Sequence, residues 1–171
     1  MPTLSLMLGA ACASPTSPEP LPAAPLAPAP AAAPAPAGGA AALTEGVVDL
    51  TNAERSRAGL TGLRTSSRLM QAAQLQADQM ASLSRLDHVL PGARYPGPGD
   101  RLGAAGYAWQ AYAENIAMGQ RSAAEVLASW MQSSGHRANI LNGNLTEIGT
   151  GYATDGAGRP YWVQVFGRPS S

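Results

Sequence analysis

The sequence predicts an α+β domain, a three-layer α-β-α sandwich with a small central antiparallel sheet. Three observations carry this. Amphipathic stretches of helical period lie on both sides of a long Gly/Pro-rich loop. Two strands of alternating pattern, "EIGTGYAT" and "RPYWVQVF", stand close together near the C-terminus with the turn "DGAG" between them. Helices flanking a sheet made largely of hairpins bury both sheet faces in layers, and about 125 residues suffice for a modest core.

Taken in order, Thr44 is placed to cap a first helix, with Val47, Leu50, Thr51 and Glu54 at i, i+3, i+4 and i+7 and Gly59 at its end. A second helix starts after Ser66 or Ser67 and carries Leu69, Ala73, Gln76, Ala77 and Met80 along one stripe. Its many alanines predict close packing against something flat. The segment "LDHVLPGARYPGPGD" follows, and its prolines and glycines forbid regular structure. A short helix is expected near "DRLGAAGY", then a short strand in "AYAENIAMG". From Ser122 the period returns: Ala123, Val126, Leu127, Trp130 and Met131 form an apolar face, and Gly135 is expected to end that helix in left-handed geometry.

Ahead of the domain the composition changes. Residues 4–11, "LSLMLGAA", are apolar and end in small residues just before Cys12, as in a bacterial lipoprotein signal; an ordinary secretory signal is the other reading. Residues 1–12 are therefore expected to be a signal peptide, with membrane attachment through a lipidated Cys12 where the lipoprotein reading holds. Residues 13–42 are dominated by Pro and Ala, 22 of 30, and the prolines deny the backbone the donors of a packed structure. Such a linker reaches up to ~90 Å at ~3.1 Å per residue. Residues 43–169 form the domain, outside the cytoplasm on either reading of the signal.

Formal net charge is zero with no charge runs, so no nucleic-acid surface is expected. All eleven basic residues are Arg. One cysteine excludes an internal disulfide framework and a thiolate zinc knuckle. Chemistry then falls to few residues. His88 stands in the Gly/Pro-rich loop and His136 just after Gly135. Glu114 is a carboxylate inside an apolar stretch, where burial demands a compensating partner: Arg101 or Arg137 in an ion pair, a histidine, or a metal ion. Glu125 has a structural explanation, because "SAAE" at Ser122 to Glu125 has the form of a helix capping box. Ser133 and Ser134 adjoin His136 without any nucleophile-elbow pattern.

Together, "LDHVLPG", "AENIAMG", "AAEVLASWMQSSGHRANIL", "EIGTGYA" and "PYWVQVFG" resemble, in order and spacing, the CAP superfamily of cysteine-rich secretory, antigen 5 and pathogenesis-related proteins, in its short bacterial branch. The resemblance spans almost all of residues 43–169 and implies the α-β-α sandwich. It also implies a cleft that gathers two histidines and two acidic residues. His88, Glu114 and His136 match three of these four; the second acid aligns with Ser133. Two neutral imidazoles suit a divalent metal such as zinc if both rings approach one point, with Glu114 as base, orienter or third ligand. Two functions are expected to compete: a module that binds a lipid, glycan or protein of the bacterial cell envelope, and a metal-dependent or acid/base hydrolase acting on a cell-wall or peptide substrate with His88, Glu114 and His136 as catalytic residues.

Overall fold

A computed structural model describes residues 39–170. The chain divides into two units, 1–34 and 35–171, and the described residues belong to the second. The signal segment, Cys12 and the Pro/Ala-rich stretch up to residue 38 lie outside the described residues.

Helix α1 (Ala40–Arg57) begins four residues before Thr44, inside the stretch assigned by composition to the linker. Alanine is the best helix former and extends the helix backward. Thr44 is thus not a cap; its hydroxyl donates to the Ala41 carbonyl within the helix (2.9 Å). Gly59, with φ of 73°, ends the helix as expected. Strand β1 (Arg64–Thr65) leads into α2 (Ser67–Leu83), and the loop after it into α3 (Pro98–Ala104). Then come β2 (Trp109–Met118), α4 (Ala123–Gln132), α5 (Ser134–Ile140), β3 (Glu147–Thr154) and β4 (Pro160–Pro169).

The sheet order is β1-β3-β4-β2, with β4 central and β2 along one edge. The three long strands are antiparallel as expected; the two-residue β1 adds a parallel edge that no sequence pattern announced. Alternation along β4 sorts the core. Tyr161, Val163 and Val165 pack with α2 and α3, whereas Trp162 and Phe166 pack with α1, α4 and α5. Each large apolar side chain buried this way contributes about 1.5–3 kcal/mol.

The flat partner of the α2 alanines is β3. A Cβ added at Gly149 would lie 2.1 Å from the Leu69 carbonyl carbon, and one at Gly151 would lie 2.4 Å from that of Ala73. Helix and strand backbones touch there, so only glycine fits.

At the far end of α1, Arg55 is 2% exposed. Its guanidinium donates to the carbonyls of Thr61 (3.0 Å), Ile140 (2.8 Å), Asn142 (2.9 Å) and Leu145 (3.4 Å). No carboxylate pairs with it among the described residues. Desolvation lowers its pKa, and the carbonyl dipoles take the place of water around the charge.

Candidate functional site

Glu114 lies midway along β2, on the face covered by α2 and α3, opposite Val165 of β4. Its side chain is 3% exposed, and the buried cation it requires is Arg101 of α3 at 1%. Arg101 Nη2 donates to Oε2 at 3.0 Å and to Oε1 at 3.2 Å. The same guanidinium donates to the carbonyls of His88 (3.1 Å), Tyr95 (3.3 Å) and Pro96 (3.1 Å). One cation therefore neutralises the carboxylate and pins both ends of the irregular loop. Arg137, the other candidate partner, is exposed on α5.

His88 completes the group. Its Nδ1 lies 2.9 Å from Glu114 Oε1. A carboxylate only accepts, so Nδ1 carries the hydrogen and Nε2 is the nitrogen left for a ligand or a proton. The ring is half exposed, 47%, at the edge of the site. The hydrogen bond to Glu114 raises its pKa against the opposing effect of burial.

His136 arrives from the other layer. Trp130 fixes α4 in the core and donates Nε1–H to the Ile116 carbonyl (3.2 Å). The chain breaks at Ser133, extended at φ −90° and ψ 122°, and α5 begins at Ser134. Gly135 is therefore inside α5 rather than ending α4. An extended residue followed at once by a new helix needs no left-handed stop. His136 stands in the first turn of α5, half-buried. Burial, and then the charge of His88, lower its pKa. The structure thus brings His88 and His136 within electrostatic reach, but among the described residues no hydrogen bond joins the His136 ring to Glu114.

Composition and motif reading missed what holds α5 in place. Asn139 Nδ2 donates to Asn115 Oδ1 (2.8 Å), Asn115 Nδ2 to Gln164 Oε1 (3.1 Å), and Gln164 Nε2 to Thr51 Oγ1 (2.7 Å). Asn115 Nδ2 also donates to the His136 carbonyl (3.2 Å). The chain of amides crosses β2 and β4 and ends on α1, and Thr51, Asn115 and Gln164 are all fully buried. The signal was present, an amide inside each of the apolar runs "AENIA" and "WVQVF", since buried amides need partners. Glu125 fills only half a capping box: Ser122 Oγ accepts from the Glu125 N–H (3.2 Å), but Glu125 Oε2 accepts from the Arg121 N–H (2.8 Å).

The donors do not fit a three-ligand zinc site. Glu114 is committed to Arg101 and His88, and among the described residues no group of three His, Cys, Asp or Glu side chains is placed to hold a metal ion.

Residues 48–166 match the cysteine-rich secretory protein family, CAP. The chain belongs to that family. The CAP stretch contains His88, Glu114 and His136 together with the buried groups that hold them. Over 120 residues the chain is 41% identical to the uncharacterised protein YkwD of Bacillus subtilis, covering 70% of this chain and 45% of that one. Its structure is similar to an extracellular protein of Bacillus anthracis containing an SCP domain (29% identity, TM-score 0.69), covering 75% of this chain and 41% of that one. An outer surface protein of Borrelia burgdorferi shares the fold at 19% identity and TM-score 0.66, over 72% of this chain and 90% of its own. The chain spans less than half the length of YkwD and of the anthracis protein.

Proposed function

We propose that this CAP protein works outside the cytoplasm and binds a ligand of the bacterial cell envelope in a cleft formed by His88, Glu114 and His136. One observation carries the reading. A buried ion pair, Glu114 with Arg101, is spent on orienting an imidazole that is itself half exposed. A carboxylate placed only for stability would have no need of an exposed partner. The extracellular character of the similar anthracis protein and the signal-like residues 1–12 support the location, with Cys12 as the point of lipid attachment. Incorporation of a fatty-acid analogue into the full chain, abolished by Cys12→Ser, tests the anchor.

The opposed shifts of the two histidines favour a second reading, acid/base hydrolysis of a cell-wall or peptide bond. Groups whose environments push their pKa values apart are suited to opposite proton roles. His136, shifted toward its neutral form, would take a proton from the attacking water through its free ring nitrogen; His88, shifted toward its protonated form, would give one to the leaving group; Glu114 would keep the His88 ring in place.

Retention of the full chain on isolated envelope fragments tests both. His88→Ala, Glu114→Gln and His136→Ala are each expected to reduce retention about tenfold or more, the loss of one good polar anchor. Retention equal to the parent in all three variants removes the cleft from consideration. Release of soluble fragments by the parent chain, absent in His136→Ala, selects the hydrolase reading over pure binding.

A further inference from the structure

The two edges of the sheet are finished differently. Gly119 donates to the Pro160 carbonyl across the β2–β4 ladder (2.9 Å). By antiparallel alternation, Ala113, Asn115 and Ala117 then exchange bonds with β4, whereas Tyr112, Glu114 and Ile116 turn their N–H and C=O outward. Side chains cover the inner part of that edge: Trp130 donates to the Ile116 carbonyl (3.2 Å) and Asn139 to that of Glu114 (3.4 Å). On the opposite side β1 pairs with Glu147 and Ile148 of β3, and the rest of β3 is covered by side chains. Gln74 both donates to the Tyr152 carbonyl (2.9 Å) and accepts from its N–H (3.2 Å), and the Thr150 N–H meets Met70 Sδ (3.1 Å).

No such cover reaches Tyr112 among the described residues. There the edge is open and flanked by two exposed aromatic rings. Trp109 and Tyr112 are 37% and 41% exposed and meet edge to face with centroids 5.6 Å apart. A register shift between Trp109 and Ala111 bends the strand and limits the open ladder on one side, since a bulge re-aims the edge. Asn139 on the Glu114 carbonyl closes it on the other.

We propose that an extended peptide docks on the outer edge of β2 at Tyr112, adding a short strand that leads to the His88–Glu114 site. The exposed groups are the backbone donor and acceptor of Tyr112; the N–H of buried Glu114 faces the same edge with no partner among the described residues, and together these are what a β-strand complements. The Trp109–Tyr112 pair receives a side chain of the peptide on one face. The open window is short, so the ladder is short and the affinity modest. Pairing stops at Glu114, which leaves the next peptide residue beside His88 and the end of α5 that bears His136. The inference rests on the proposed cleft for what the peptide reaches, and names a peptide as its ligand class.

Amide hydrogen exchange on the isotope-labelled full chain tests it, with a blocked alternating Thr-Val octapeptide as probe at about millimolar concentration. Binding is expected to slow exchange at the Tyr112 and Glu114 amides about tenfold and to leave Ala113, already bonded to β4, unchanged. N-methylation of alternate peptide amides is expected to abolish protection in one phase of the alternation and not in the other. Tyr112→Ala keeps the backbone groups and is expected to weaken binding without moving the site of protection. Unchanged exchange at Tyr112 and Glu114 with the saturating probe overturns the proposal. So does a result in which tetra-N-acetylchitotetraose perturbs the Trp109 ring while the peptide does not, which would make the surface a sugar platform. His136→Ala separates this from the cleft: protection at Tyr112 is expected to persist there even where envelope retention is lost, and its disappearance overturns edge docking.

Discussion

Arg101 and Glu114 form an ion pair in which neither side chain reaches solvent, and the same guanidinium holds the His88 carbonyl 3.1 Å away. Removing the cation leaves a carboxylate buried without compensation. Arg101→Gln is expected to cost about 3–5 kcal/mol in urea unfolding. The double variant Arg101→Met/Glu114→Leu is expected to recover most of that loss while disordering the His88 ring, read as a collapse of its chemical-shift difference from a free imidazole.

The two histidines are expected to set a pH optimum of stability. His88 has a folded pKa above the ordinary 6.5, so its contribution is fully present below about 6.5 and is lost as pH rises through the folded value. His136 has a folded pKa below 6.5; the unfolded chain takes up that proton first, so stability falls as pH drops below about 6.5. Stability is therefore expected to peak near the ordinary histidine value. His88→Gln should remove the decline on the alkaline side and His136→Gln that on the acid side, with NMR titration midpoints on opposite sides of about 6.5.

The amide chain through Asn115 ties α5 to the sheet. Asn115→Ala orphans Gln164 Oε1 and frees the His136 carbonyl, and is expected to cost about 1–3 kcal/mol. Amides of residues 134–140 should exchange faster in that variant while those of α2 do not change.

Gly151 tests the contact between β3 and α2. With the Ala73 backbone 2.4 Å from any added Cβ, Gly151→Ala is expected to destabilise by about 1–3 kcal/mol or more. Truncating Ala73 to glycine offers no relief, because the clash is with backbone.

Metal removal is expected to do little. Since Glu114 is already occupied, EDTA should shift Tm by less than about 1 °C, and added zinc should perturb His88 and His136 without raising Tm as a bound structural ion would. A chelator-induced fall of several degrees would contradict the donor geometry.

Much of this was legible in the residues because periodicity reports burial. The α2 and α4 stripes, the β3–β4 hairpin and the Glu114 burial problem all follow from where apolar and charged side chains recur. Arg101 could be narrowed to one of two candidates but not chosen, since the choice depends on α3 folding back beneath β2. The α4–α5 break misled for a local reason: Gly135 carries the usual mark of a helix end, while the actual break is a serine that simply takes an extended conformation. β1 was invisible because two residues hold no period. The Asn115–Gln164–Thr51 relay joins three distant segments, and a pattern read along the chain does not connect them.

Arg55 gives this architecture a fixed end. Its four carbonyl acceptors have no proton to gain or lose in the range where histidines titrate, and a guanidinium has none to give up. Acidification that charges both imidazoles thus leaves the junction of α1, α5 and β3 clasped.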